Sequence, residues 1–98
     1  MLHSIPSAEL TRIDYVGRDL FTADNHWIGI VREMREHPRD GSIVLIVYSD
    51  HPDQRPVCVK ASEIGVVTRT RVMLDVMRNL FDRELDTRYR CPPEMLTA

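Results

Sequence analysis

Tyr15-Val16-Gly17-Arg18-Asp19-Leu20-Phe21-Thr22-Ala23-Asp24-Asn25-His26-Trp27-Ile28-Gly29-Ile30-Val31 decides the fold. Two apolar runs flank a polar turn, Ala23 to His26. Asp and Asn tolerate turn and left-handed backbone and bond to their own main chain. Extended residues on either side then predict a β-hairpin. Gly17 and Gly29 fall inside the two predicted strands. Glycine there marks a bulge or a close approach of two backbones, as a curled sheet requires.

Outward from the hairpin, the second strand runs from Trp27 to about Glu36 and ends in His37-Pro38-Arg39-Asp40-Gly41. Pro38 cannot donate a ladder hydrogen bond, and Asp40-Gly41 is a strong turn pair. Ser42 to Ser49 reads as a strand apolar on both faces, with Ile43, Leu45 and Val47 on one and Val44, Ile46 and Tyr48 on the other. Such a strand is covered on both sides. One face fills a barrel, and the other meets a helix of the same chain or a second protomer. Asp50 to Pro56 is a loop by composition. Val57 to Lys60 alternates, placing Val57 and Val59 inward and Cys58 and Lys60 outward. Ala61 to Gly65 turns the chain, and Val66 and Val67 resume an extended pattern. Toward the N-terminus, Leu10 to Val16 alternates as a further strand, and Pro6 breaks the mixed lead-in.

Met73, Val76, Met77, Leu80, Phe81 and Leu85 fall on one stripe of a 3.6-residue period. A helix from about Asp75 to Asp86 follows, with Asp75 as its N-cap. The same periodicity allows a start as early as Thr70. Cys91-Pro92-Pro93 ends regular structure, because the residue before a proline is pushed out of the helical region. The expected organisation is a flexible lead-in over 1–9, a β-barrel domain over 10–75, a helix over 76–89 packed on the barrel or on a partner, and a tail over 90–98.

Ninety-eight residues make one domain, and the formal charge is −2 from 13 basic and 15 acidic residues. Near-neutrality argues against binding by phosphate neutralisation. The longest apolar run, Ile43 to Tyr48, is six residues, against about 20 for a membrane span. Met1-Leu2-His3-Ser4-Ile5-Pro6 has neither a basic n-region nor an apolar h-region. Two cysteines, Cys58 and Cys91, make no disulfide framework. The expectation is a reduced, cytoplasmic chain.

The ordered succession of short motifs resembles the PRC-barrel family. Gly17-Arg18-Asp19-Leu20, Asp24 and Ile28-Gly29-Ile30-Val31 look like its opening signature. Gly41 to Val47, Val57 to Ile64 and Val72-Met73-Leu74-Asp75 are similar to its later segments, in the right order. The resemblance implies a small curled β-barrel of five to six strands with one C-terminal α-helix. It also implies a binding or assembly module that often self-associates, and it transfers no catalytic residues. The chain departs from the pattern at Asp24-Asn25, where Asp-Gly is usual, and at Lys60, where Pro is common. It departs again at Thr68-Arg69-Thr70, which lacks a turn glycine. The third departure leaves residues 70–74 open between the strand of the family and the first turn of a helix.

No metal, cofactor or catalytic residues are expected. The histidines and cysteines form no CxxC or HxxxH spacing. His37 and His51 begin His-Pro loops at opposite ends of one strand, roughly 20 Å apart at about 3.3 Å per residue. Cys58 and Lys60 share a strand face, which would lower a thiol pKa, but a surface or interface cysteine is the reading preferred. Scattered glycines make no phosphate loop. Trp27, Val44, Ile46, Tyr48, Met73, Met77 and Phe81 exceed what one small barrel holds, and they are the candidate interface for a homodimer or an unidentified protein partner. The alternative is an SH3- or Tudor-like barrel binding nucleic acid through Arg69, Arg71, Arg78, Arg88 and Arg90. Their interleaving with Asp75, Asp82, Glu84 and Asp86 reads more simply as a solvated helix face.

Overall fold

The hairpin, the doubly apolar strand and the later extended runs join into one six-stranded mixed sheet curled into a half-barrel. The computed structural model describes residues 14–49 and 55–96. Its strands are β1 (Asp19–Phe21), β2 (Trp27–Glu36), β3 (Ile43–Ser49), β4 (Val57–Lys60), β5 (Ile64–Val67) and β6 (Arg71–Leu74). A 3₁₀ turn, Ala61–Glu63, links β4 to β5. Helix α1 (Arg78–Arg83), a π-type turn over Leu85–Tyr89 and the short helix α2 (Pro93–Leu96) follow. The strand order is β4-β3-β2-β1-β6-β5. Every neighbouring pair is antiparallel except β1 with β6.

Bulges produce the curl. The register steps from Leu20 opposite Gly29 to Phe21 opposite Trp27, so Ile28 is extra on β2. It steps again at Arg32 against β3 and at Gly65 against β6. A bulge bends its strand and increases its twist. Gly29 lies where two backbones nearly touch, since a Cβ there would stand 2.5 Å from the Tyr48 carbonyl oxygen. This is the close approach expected of an interior glycine. Gly17, in contrast, precedes β1 in a turn at φ +89°, its N–H donating to the Val31 carbonyl at 2.8 Å.

At the hairpin tip, Asn25 takes the left-handed position, φ 67°, that a glycine would fill in Asp-Gly. Thr22 N–H donates to the His26 carbonyl at 2.9 Å and closes the turn. Between β5 and β6 no glycine is needed, because the Thr68 hydroxyl accepts from the Arg71 N–H at 3.0 Å. Residues 71–74 are strand, clamped between β1 and β5.

Leu20, Val31, Leu45, Val47, Val59 and Val72 fill the concave side, and none is measurably exposed. Phe81, Leu85 and Tyr89 close one end, with the Phe81 and Tyr89 rings 4.6 Å apart. The helix expected over 76–89 is shorter than its stripe. Met77 is extended (ψ 154°) and is the N-cap in place of Asp75, and the Arg78 N–H is received by Asp24 Oδ1 of the hairpin at 2.9 Å. After Glu84 the backbone widens into the π-type turn, which carries Leu85 and Tyr89 inward. The strand expected over 10–16 is not formed at 14–16, and 10–13 lie outside the described residues, as do the lead-in 1–9 and residues 50–54. The tail expected from residue 90 is structured to Leu96. Arg90 bridges Val57 on the edge of β4, and α2 lies beyond it.

Candidate functional site

Residues directly opposite one another in paired strands project from the same face. Leu20 and Val72 point into the core, so Phe21 and its partners point out. Trp27 of β2 pairs with Phe21 of β1, Phe21 with Met73 of β6, and Met73 with Val66 of β5. Trp27, Phe21, Met73 and Val66 therefore form one apolar row across the convex face, with steps of about 4.8 Å between strands. Trp27 is 38% exposed and the other three are half-buried. Its indole N–H donates to Asp19 Oδ1 at 3.0 Å, which fixes the ring. Ile30 and Tyr48, opposite each other on β2 and β3, extend the apolar surface, and Tyr48 is 53% exposed. Met77 is exposed, and its neighbour Arg78 donates to the Trp27 carbonyl at 3.0 Å.

The predicted interface residues thus divide. Trp27 and Met73 lie on the row, and Tyr48 and Met77 are exposed. Val44 and Ile46 do project from the outer face of β3, but the chain's own C-terminal segment covers them: Met95 and the two cysteines pack there, and Met95 is 2% exposed. Phe81 belongs to the core beneath α1. Phe21 and Val66 were missed. Phe21 is a single apolar residue in a three-residue strand, and only the parallel pairing with β6 reveals its neighbours.

Cys58 and Cys91 are joined in a disulfide with Cα atoms 4.9 Å apart. The expectation of two reduced cysteines is corrected by that bond. Cys58 faces outward from the barrel, as its alternation required, but it is buried under the segment that carries Cys91. A disulfide sulfur is not a nucleophile, so the Cys58–Lys60 pairing has no thiolate to activate.

Of the five arginines expected to bind nucleic acid, three face carboxylates, and Arg88 and Arg90 share one depression with Lys60. Arg78 pairs with Asp82 at 3.0 Å and Arg90 with Asp86 at 3.0 Å. Arg88 pairs with Glu84 at 2.8 Å and also with Glu63. Arg71 lies 4.5 Å over the Phe21 ring. Arg69 is exposed on the β5–β6 turn. His37 stays at the β2–β3 turn and receives the Arg39 N–H at 3.1 Å, while His51 lies outside the described residues. Among the described residues no three His, Cys, Asp or Glu side chains come together as a metal site.

Among the electrostatically displaced groups, Asp24 and Tyr89 bear on how the ends of the sheet are held. Asp24 is held below the usual carboxylate range, first by the Thr22 hydroxyl within the hairpin tip and then by the Arg78 N–H, the contact that ties the tip to α1. The Tyr89 hydroxyl is pushed up to about 12, first by burial and then by the Glu63 carboxylate it donates to at 3.1 Å. An unfolded tyrosine ionises near pH ~10. The folded chain keeps this proton longer, so its contribution is complete below about pH 10 and is lost as pH rises to about 12. Tyr89→Phe is expected to remove roughly 2–3 kcal/mol of the alkaline stability loss. Urea melts of both proteins between about pH 9 and 12 check it. Tyr15, raised in the same direction by burial, leaves a residual decline in the variant.

Compared with protein-family models, with curated proteins and with solved structures, the chain gives no match.

Proposed function

We propose that this chain is a non-enzymatic, PRC-barrel-like binding and assembly module that pairs with a second copy of itself. The observation that carries the reading is the row Trp27–Phe21–Met73–Val66 on the convex face. Aromatic and Met side chains are what the desolvated centres of interfaces are enriched in. Charges of both signs surround the row, with Asp19 and Asp82 beside Arg71 and Arg78. A patch bearing both signs can complement itself across a two-fold axis. The net charge of −2 sets little repulsion between copies. An unidentified protein is the onward partner of the assembled module.

Nucleic-acid binding is the weaker reading, because three of its five arginines already face carboxylates. A salt-titrated gel shift separates the two readings, since phosphate binding weakens steeply as salt rises. No helix among the described residues is long and apolar enough to cross a membrane. A cytoplasmic setting loses the support of cysteine usage now that Cys58 and Cys91 are bonded to each other. Self-pairing does not depend on the compartment.

Sedimentation over a range of concentrations tests the proposal. The wild-type chain is expected to dimerise. Trp27→Glu is expected to raise the dissociation constant about thirty-fold or more, as for loss of an interfacial aromatic anchor. Met73→Lys is expected to act in the same direction, with an unchanged circular dichroism spectrum in both variants. A wild-type chain that remains a monomer at high concentration removes the proposal.

A further inference from the structure

The segment 90–96 has little structure of its own. Pro92 and Pro93 bring no N–H groups. A four-residue helix such as α2 does not persist in isolation. Several contacts hold the segment down. Arg90 bridges Val57. Arg35 donates to the Met95 carbonyl at 3.0 Å, and Arg39 meets Glu94 at 3.5 Å between exposed side chains. Met95 seats on Val44 and Ile46. To these the Cys58–Cys91 bond adds a covalent pin. The segment is a strap across the outer face of β3 and β4, separate from the row on which self-pairing would occur.

We infer that the Cys58–Cys91 disulfide is a redox latch on this strap, closed when oxidised and released by a dithiol reductant. Cys91 is the more exposed residue of the pair, and attack is drawn at its sulfur so that Cys58 is the leaving group. A thiolate of the dithiol forms a mixed disulfide with Cys91 and expels Cys58 as a thiolate. The second thiol of the reductant then closes on the first, expelling Cys91. Two electrons and two protons pass to the protein, which ends with two thiols, and the reductant ends as a cyclic disulfide. Lys60 and Arg88 line the same surface depression as Cys58. Cationic neighbours stabilise a thiolate, and a stabilised leaving thiolate departs faster. With the pin gone, only non-covalent contacts remain on the strap, among them the Arg39–Glu94 pair between exposed side chains, and a segment held this way opens locally at less cost than the whole fold. Opening uncovers Val44, Ile46 and Cys58 and frees the outer edge of β4, which Arg90 now bridges.

Hydrogen exchange read by mass spectrometry on the full chain, with and without dithiothreitol, tests the latch. The reduced chain is expected to exchange over residues 88–96 by local opening, at least ten-fold faster than in the oxidised chain and ahead of its own β1, β2 and β6, and to gain binding of an apolar fluorescent dye. A Cys58→Ser/Cys91→Ser chain is expected to match the reduced protein and to ignore the reductant. Equal exchange over 88–96 in both redox states overturns the inference. So does a reduced chain in which residues 88–96 exchange no faster than β1, β2 and β6, because the segment then opens only with the whole fold and is not a strap. Two free thiols in the protein purified under air also overturn it.

Discussion

Gly29→Ala is expected to destabilise the fold by roughly 3 kcal/mol or more, near the upper end of the usual overpacking cost. The added methyl group meets backbone rather than the end of a flexible side chain. Its carbon would lie 2.5 Å from Tyr48 O, 2.9 Å from Ser49 Cα and 3.0 Å from Tyr48 C. β2 cannot yield cheaply, because it is tied to β1 on its other side through Leu20 opposite Gly29; the β3–β4 ladder ends at Val47, so what give there is comes from β3 at Tyr48 and Ser49. Relief would require β2 and β3 to separate at the end where Gly29 faces Ser49, close to the Trp27 end of the apolar row. Equilibrium urea unfolding measures the loss. Gly65→Ala is the control, because the nearest atom to its added carbon is Asp75 Cβ at 3.6 Å, an ordinary contact. Its expected change is below about 1 kcal/mol.

Cys91→Ser is the second large effect. The disulfide closes a loop of sequence separation 33. On the chain-entropy account, removing a cross-link over a loop of this size costs about 3–4 kcal/mol, most of it through the freed unfolded chain. The thermal midpoint is expected to fall by roughly 15–25 °C for a domain of this length. Calorimetry of the wild-type and variant chains under non-reducing conditions checks it. A domain of typical stability, about 5–15 kcal/mol, survives such a loss. The variant is therefore expected to keep the half-barrel and its circular dichroism spectrum, while its unfolding transition moves to lower temperature.

Local chemistry made most of the sheet readable. The hairpin about Asp24-Asn25, the turn at Asp40-Gly41 and the doubly apolar run 43–48 each carry their own signal, and each falls where expected. Tertiary constraint decided the rest. The stripe from Met73 to Leu85 mixes a strand, a short helix and part of a π-type turn: β6 buries Val72 and Leu74, two apart, while Val76, Phe81 and Leu85 enter the core at intervals of four to five. Met77 fits the stripe by spacing yet faces solvent, since α1 begins only after it, where Asp24 receives the Arg78 N–H. The second cover of β3 was legible as a need, but not as an occupant. Cys91 beside two prolines read as a tail, and nothing local to it announces a partner 33 residues away. On the candidate site, Trp27 and Met73 were visible as surplus apolar side chains. Their joining through Phe21 depends on a parallel pairing that no sequence period encodes.

That parallel pairing also sets an order of events. β2 and β3 join through a short turn and can form as soon as both exist. β1 and β6 bring Asp19 beside Arg71, and the closure entropy of everything between them must be met before their ladder gives anything back. On a nascent chain, β1 therefore waits with its outer edge open until residues 71–74 have emerged. A chain cut short before Arg71 is not a smaller version of this sheet. It loses both β6 and the strand β6 holds in place, and β1, now in the middle of the order, becomes an unprotected edge able to pair with another chain.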